Sequence, residues 1–120
     1  MSNLKTINKA IQKININAEF AVSGVDINTC TIEWLNGTTP IPKADIQAQF
    51  PAVEFDMAME DLRAKRNKDL QDSDWTQLSD NTLTNDQRQA YMRYRTELRN
   101  ITDGLTTVEQ VNNIDYPDKP

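Results

Sequence analysis

Four aspartates lie close together in the middle of the chain, and clustered carboxylates are the ligands that Ca²⁺ prefers. They are Asp69, Asp72, Asp74 and Asp80. An EF-hand loop that begins at Asp72 requires glycine at its sixth position and glutamate at its last. This sequence has Gln77 and Leu83 there, so the pattern predicts no calcium site. We expect these acids to cap and solvate a loop.

Paired carboxylates such as Asp56 and Glu60 can act as a general acid and base, but their spacing also fits the solvated face of a helix. The chain has no histidine and a single cysteine, Cys30, which excludes a Ser-His-Asp triad, an imidazole metal site and a disulfide framework. Its three glycines stand apart and form no phosphate-binding loop. We therefore predict a protein that is not an enzyme and uses no cofactor or metal.

Basic side chains are concentrated in residues 63–68 and 88–99, where they could contact phosphate. Acids are interspersed among them, and the chain as a whole has a net charge of −5. Asp61 and Asp69 each lie four residues from Lys65, a spacing that predicts ion pairs along one helix. We predict that the protein does not bind nucleic acid.

Four aromatic residues in the second half of the chain have the chemistry for protein recognition, because tryptophan and tyrosine are enriched at interface hot spots. They are Trp75, Tyr91, Tyr94 and Tyr116. The same residue types are ordinary members of a core. Tyr116 lies in a tail that cannot build a core alone, so for this residue both interpretations stay open.

The N-terminal segment reads as a short helix, because Leu4, Ile7, Ile11 and Ile14 recur at the helical period and Ser2 can cap it. Its three lysines lie off that apolar stripe. A basic amphipathic helix can lie on a membrane or enter a partner's groove. The stripe is narrow and has no aromatic anchor, so we predict that the helix docks on its own sheet.

A strand pair and two helices are predicted next. Phe20 and Val22 alternate with polar or small neighbours, as do Cys30, Ile32 and Trp34. Asn36-Gly37 is a strong turn signal, and these strands predict an antiparallel sheet of two or three strands.

A short helix is expected at residues 43–50. Pro51 then suits the first turn of a longer helix at residues 52–72.

Residues 73–83 are predicted to form an ordered loop, which Trp75 and Leu78 lock and Leu83 also anchors. If the Trp75 indole is buried, Trp75→Ala is expected to lower stability by about 3–5 kcal/mol.

Thr84 and Gln87 match a capping box that starts a helix at residues 85–100. The expected inner face of that helix comprises Gln87, Tyr91, Tyr94, Leu98 and Ile101. Residues 102–120 are expected to form a tail with one helical turn at residues 107–113.

These elements predict an α+β fold: a short N-terminal helix, a small antiparallel sheet, an antiparallel helical hairpin and an extended C-terminal tail. The predicted segments are an αβ module at residues 1–50, the hairpin at 51–101 and the tail at 102–120. The apolar fraction is 38%, below the usual range for a globular domain, so we expect a thin core or a surface that a partner completes.

Half of the chain resembles the phage tail assembly chaperone family of bacteriophages and prophages. That family has a basic helix ending in a stretch like Arg-x-x-x-Leu-x-x-x-Asp-Trp-x-x-Leu, a helix like Tyr-Arg-x-x-Leu-Arg-x-Ile, and a Trp-Pro-x-Lys-Pro-like end. The matching residues are Arg66 to Leu70, Ser73 to Leu78, Leu83-Thr84, Tyr94 to Ile101 and Tyr116 to Pro120. Tyr116 stands where tryptophan is more usual, and residues 102–113 are a longer insertion.

The resemblance implies a non-enzymatic bacteriophage protein that assists assembly of tail fibres. Its implied partner is a tail-fibre or tail protein, with a homo-oligomer as a further option and no membrane or nucleic acid. Its expected place is the host bacterial cytoplasm during assembly, or the virion tail. The candidate partner-binding residues are Trp75, Leu78, Tyr91, Tyr94, Arg95, Tyr116 and Pro117.

Two other interpretations remain open at this stage. The first is a structural component that stays in the mature virion, because a tail ending in proline is expected to fray unless a neighbour holds it. The second is an unrelated cytoplasmic adaptor whose helix pair imitates the motif. The presence or absence of tail genes beside its own gene distinguishes an adaptor from a tail protein.

Overall fold

Helices alternate with one short β-hairpin along the chain. The computed structural model describes residues 3–120, and within them it has five α-helices and a two-stranded antiparallel sheet. The elements are α1 (Leu4–Ile14), β1 (Phe20–Ser23), β2 (Thr31–Trp34), α2 (Lys43–Ala48), α3 (Phe50–Asp72), a 3₁₀ turn (Asp74–Gln77), α4 (Asn85–Arg99) and α5 (Val108–Asn112). The predicted α+β class is confirmed, with two strands.

The chain divides into two compact units. The first ends at Asp56 and the second begins at Met57, so the division falls within α3. The C-terminal tail belongs to the same unit as α4. The segmentation of the sequence at residues 50 and 101 stays a prediction.

In the first unit, α1 begins at a side-chain cap. The Asn3 side-chain oxygen accepts a hydrogen bond from the Thr6 backbone N–H at 2.9 Å, which satisfies one of the free donors of the first turn. Ser2, the expected cap, lies outside the described residues. Ile7 and Ile11 of the predicted apolar stripe are fully buried, whereas Leu4 and Ile14 at its ends are each 40% exposed. α1 packs closely against α2, whereas its predicted docking on the sheet stays a prediction.

The β-hairpin has the predicted antiparallel pairing. Phe20 pairs with Trp34 and Val22 with Ile32, so the larger apolar side chains share one face of the sheet. The Phe20 and Trp34 ring centroids lie 6.0 Å apart. In the connection, Gly24 has a φ of +103°, and a Cβ placed there would lie 3.2 Å from the Cα of Cys30. Glycine at this position therefore allows the chain to turn tightly over Cys30, which is buried.

The turn predicted after β2 is formed by Asn36 and Gly37. Both residues have positive φ angles, 53° and 77°, and the Thr38 N–H donates to the Leu35 carbonyl at 3.0 Å. This is the backbone geometry that an Asn-Gly pair adopts readily. It returns the chain toward Glu19, whose N–H donates to the Thr38 hydroxyl at 3.0 Å.

α2 ends two residues earlier than predicted and α3 begins two residues earlier, at Phe50. Pro51 lies in the first turn of α3, where a backbone N–H has no partner within the helix. α3 does not have a single apolar stripe. Val53 is buried in the first unit, whereas Met59 and Leu62 are buried in the second. This change of partner explains the imperfect helical spacing of its apolar residues.

In the second unit, α4 begins at the predicted capping box. The Thr84 hydroxyl accepts from the Gln87 N–H at 3.2 Å, and the Gln87 side chain accepts from the Thr84 N–H at 2.9 Å. Gln87 is consequently exposed, and its predicted place on the inner face is wrong. Tyr91, Tyr94 and Leu98 are buried as predicted.

The predicted helical turn in the tail is α5. Its N-terminus carries a second capping box, formed by Thr107 and Gln110. Residues 114–120 after α5 have no regular secondary structure, as predicted for an extended tail.

Candidate partner-binding site

A cluster of buried side chains joins four parts of the second unit. It is formed by Tyr91, Tyr94 and Leu98 of α4, and three half-buried side chains pack against it: Leu70 of α3, Leu83 of the loop and Tyr116 of the tail. The Tyr91 and Tyr94 ring centroids lie 6.4 Å apart, with their planes edge to face. The resulting aromatic packing holds the end of α3, the loop and the tail against α4.

Arg95 fixes the connection between α3 and α4. Its side chain is only 7% exposed. One terminal nitrogen, Nη1, donates to the Leu70 carbonyl at 2.7 Å and to the Ser73 hydroxyl at 2.8 Å. The other, Nη2, donates to the Asp74 carboxylate at 2.8 Å. A guanidinium placed against the last carbonyls of a helix also stabilises the helix dipole.

The loop that contains Trp75 is therefore held differently from the prediction. Trp75 is 45% exposed and Leu78 is 59% exposed, so neither side chain locks the loop by burial. The Thr76 hydroxyl instead donates to the Ser73 carbonyl at 2.6 Å, and the residue is buried. Polar contacts at the base of the 3₁₀ turn leave its larger side chains at the surface.

Trp75 is nevertheless fixed in position by one contact. Its ring lies edge-on to Tyr91, with 5.9 Å between the ring centroids. Because Tyr91 is itself buried, one side of the indole rests on a rigid support while the rest faces outward. Such an arrangement presents an aromatic side chain whose conformational freedom is already restricted.

Tyr116 attaches the tail to α3. Its hydroxyl donates to the Asp69 carboxylate, and the Lys65 ammonium lies 3.9 Å from the centre of its ring. Burial, together with the hydrogen bond to Asp69, raises the pKa of the Tyr116 hydroxyl well above its usual range. Within residues 3–120 the ion pairs predicted between Lys65 and its helical neighbours are not formed. Lys65 contributes a cation–π contact instead.

One further contact holds the tail along α4. The Tyr91 hydroxyl donates to the Pro120 carbonyl at 3.5 Å. Half-buried Pro117 lines a hollow of about 530 Å³ between the C-terminal end of α4 and the tail.

Burial also raises the pKa of the Tyr94 hydroxyl, with the negative charge of Asp69 as the second cause.

Three exposed apolar side chains come from the 3₁₀ turn, the residue after it and α4, and we refer to them together as the exposed patch: Trp75, Leu78 and Met92. Met92 is 57% exposed on α4, one residue after Tyr91. Leu78 and Met92 line the same small hollow of about 190 Å³, together with Arg88. The patch therefore combines side chains from the 3₁₀ turn, the residue after it and the outer face of α4. Met92 was missing from the sequence prediction, and Arg88 was considered there only as a possible phosphate contact.

A sequence model of the phage tail assembly chaperone protein family matches residues 59–120, just over half of the chain. The chain therefore belongs to the phage tail assembly chaperone family. The buried cluster, Arg95 and the exposed patch all lie within the matched residues. The searches of curated proteins and of solved structures find no match.

Membership of the phage tail assembly chaperone family establishes the coarse role of the chain. It has a role in phage tail assembly, interacts with phage tail proteins and acts in the host cell during assembly. Across residues 3–120 there is no group of carboxylates and thiols arranged to hold a metal ion. None of the helices described is long and apolar enough to cross a membrane.

The predicted partner-binding residues of this chaperone-family chain separate into two groups. Tyr91, Tyr94 and Arg95 are buried and make contacts within the chain. Trp75 and Leu78 are exposed, whereas Tyr116 and Pro117 are half-buried in the docked tail. The buried residues support the rest of the site. Only the exposed and half-buried residues can contact a partner without opening of the fold.

Proposed function

We propose that the chain binds a tail-fibre subunit through the exposed patch of Trp75, Leu78 and Met92 and keeps it soluble until it assembles. The observation that carries this proposal is the pair of exposed side chains Trp75 and Leu78, presented on a buried support within the family-matched residues. Exposed large apolar side chains that are grouped together mark protein interaction surfaces.

The support beneath the patch favours binding because it lowers the entropy lost on association. Trp75 is held by Tyr91, and its neighbour Asp74 is held by Arg95. Neither residue needs to become ordered when a partner arrives. An aromatic anchor of this kind, surrounded by smaller contacts, is the usual composition of an interface hot spot.

The action we propose requires no bond-making step. A fibre segment that is apolar before trimerisation binds the patch, and the same segment is buried by other fibre chains once the trimer forms. The chaperone then loses its binding surface on the fibre and dissociates, because a ligand favours only the state to which it binds.

The contacts of the C-terminal tail favour a chaperone that is released after assembly over a component that is retained in the virion. The alternative interpretation, a structural component that stays in the particle, was motivated by a tail that needs a neighbour to hold it. Tyr116 and Pro120 already make such contacts within the chain. Mass spectrometry of purified virions distinguishes the two, since a released chaperone is absent from the particles.

Co-expression with the fibre protein of the same phage tests the proposed function. The wild-type chain is expected to raise the yield of soluble fibre trimer, and a Trp75→Ala, Leu78→Ala double variant is expected to lose most of that gain. Ile16→Ala is the matched control, because Ile16 is 85% exposed but lies in the first unit. A fibre yield that is the same with and without the wild-type chain refutes the proposal.

A further inference from the structure

The hollow that Leu78 and Met92 of the exposed patch line is otherwise polar and carries one charge. Its lining comprises Thr76, Gln77, Leu78, Ser79, Arg88 and Met92. Leu78 and Met92 supply the apolar surface. Among these lining residues, all of which the structure describes, only Arg88 is charged. A segment that fills the hollow therefore meets a positive group at the edge of an apolar contact.

The Arg88 guanidinium is poorly satisfied by its own chain. Its side chain is half-buried, and Nη2 donates to the Asn81 carbonyl at the long distance of 3.4 Å. Its Nε is buried and has no hydrogen-bond partner. Within residues 3–120 no carboxylate forms an ion pair with it. A partly buried guanidinium with free donors is well suited to bind a carboxylate in a two-pronged geometry.

The nearby acids of the chain do not neutralise Arg88. Asp74 is committed to Arg95. Asp80 and Asp86 are exposed to solvent, and neither forms an ion pair with Arg88. The guanidinium is therefore available to a carboxylate of a molecule that covers the hollow.

We propose that this hollow accepts a segment of the tail-fibre subunit in which an aspartate or glutamate lies beside a large apolar residue. The incoming carboxylate binds Arg88, and the apolar side chain packs on Leu78 and Met92. This inference rests on the proposed function and adds the chemistry that the partner must carry. The charge contact selects the segment and its register, while the apolar contact supplies the buried area.

The test uses the full chain and overlapping synthetic peptides from the tail and fibre proteins of the same phage. Each peptide with an acid is paired with a copy in which aspartate or glutamate is replaced by its amide. The tightest binders are expected to have an acid next to a large apolar residue. Their amide copies are expected to bind about tenfold more weakly or worse, as for removal of a charge-assisted hydrogen bond at a hot spot.

Arg88→Gln is expected to weaken binding of the acidic peptides by the same factor and to leave the amide copies unchanged. Arg93→Gln is the matched control, since Arg93 is an exposed arginine on the same helix and does not line the hollow. Arg88→Glu is expected to bind copies in which the acid is replaced by lysine, which distinguishes removal of one ion pair from damage to the fold. Circular dichroism of each variant verifies that α4 is intact.

Several outcomes overturn the inference. They are equal binding of acid and amide peptides, equal losses of affinity in Arg88→Gln and Arg93→Gln, absence of any bound peptide, and a DNA gel shift that depends on Arg88. If peptide binding gives one of these outcomes but co-expression still raises the yield of soluble fibre trimer, the proposed function stands and another surface recognises the fibre. If peptide binding is absent and co-expression does not raise the fibre yield, the proposed function is refuted as well.

Discussion

Replacing Arg95 by methionine removes the hydrogen bonds of its guanidinium and keeps most of the apolar length of the side chain. Methionine has a helix propensity close to that of arginine, so α4 itself is little affected. In the wild-type chain the guanidinium donates to the Leu70 carbonyl, the Ser73 hydroxyl and the Asp74 carboxylate, at 2.7, 2.8 and 2.8 Å. The first two hydrogen bonds join the end of α3 to α4.

The magnitude follows from the environment of each hydrogen bond. A hydrogen bond from a charged donor contributes about 1.5–3 kcal/mol. The Ser73 backbone N–H also donates to the Leu70 carbonyl at 3.2 Å, so that carbonyl keeps a donor in the variant. The Asp74 side chain is 65% exposed, which limits its ion pair to less than about 1 kcal/mol. We therefore expect Arg95→Met to lower the free energy of unfolding by about 2–3 kcal/mol.

Urea unfolding measures this difference. In a Trp34→Phe background the tryptophan fluorescence comes from Trp75, which lies in the same unit as Arg95. Asp74→Asn is the control and is expected to lower the free energy of unfolding by less than about 1 kcal/mol. Equal decreases in the two variants would show that the exposed ion pair carries the stabilisation. A decrease below about 0.5 kcal/mol in Arg95→Met would contradict the reasoning altogether.

Three further variants test other parts of the second unit. Trp75→Ala is expected to lower the free energy of unfolding by only about 1 kcal/mol, because the indole is 45% exposed; a decrease above about 3 kcal/mol in urea titrations would show that it is part of the core. Leu98→Ala is expected to lower it by about 2–5 kcal/mol, because Leu98 is fully buried, and an effect as small as that of Trp75→Ala would argue against the buried cluster. The third variant, Tyr116→Phe, concerns alkaline pH. Because the pKa of Tyr116 is raised in the folded state, its phenol ionises first in the unfolded chain, so stability falls as pH rises above about 10. Tyr116→Phe is expected to reduce that fall, measured as the urea midpoint on either side of this pH, and an unchanged profile would refute the raised pKa of the Tyr116 hydroxyl, which burial and the Asp69 contact cause.

The elements that sequence predicted well are those with local signals. The capping box at Thr84 and Gln87 starts α4 at the predicted residue, and Asn36-Gly37 forms the predicted turn. In both cases the residues that specify the geometry are neighbours in the chain. The alternation of Phe20 and Val22 likewise identified β1 because a strand repeats every two residues.

The interior of the second unit was harder to predict because its contacts are distant in sequence. Helical period places Arg95 beside Tyr94 and Leu98, but an arginine is normally expected at the surface. Its burial depends on acceptors at Leu70 and Ser73, which belong to the end of another helix. No pattern within α4 indicates that these acceptors are available.

The same limitation explains the incorrect expectation for Trp75 and the omission of Met92. Tryptophan is usually well buried, but this one lies at the surface on a 3₁₀ turn whose base is held by a polar contact. Met92 lies four residues after Arg88, so both lie on one face of α4, away from the stripe of Tyr91 and Leu98. That spacing is a sequence signal by which the outer face could have been found.

The single cysteine makes the opening of the first unit directly measurable. Cys30 is 3% exposed beneath the hairpin connection, so a thiol-reactive reagent reaches it only when that region opens. The rate of modification at increasing urea therefore gives an opening free energy for the first unit alone, while Trp75 fluorescence reports on the second. If the two transitions occur at different urea concentrations, the long helix that contains the division does not make the chain unfold as one cooperative body.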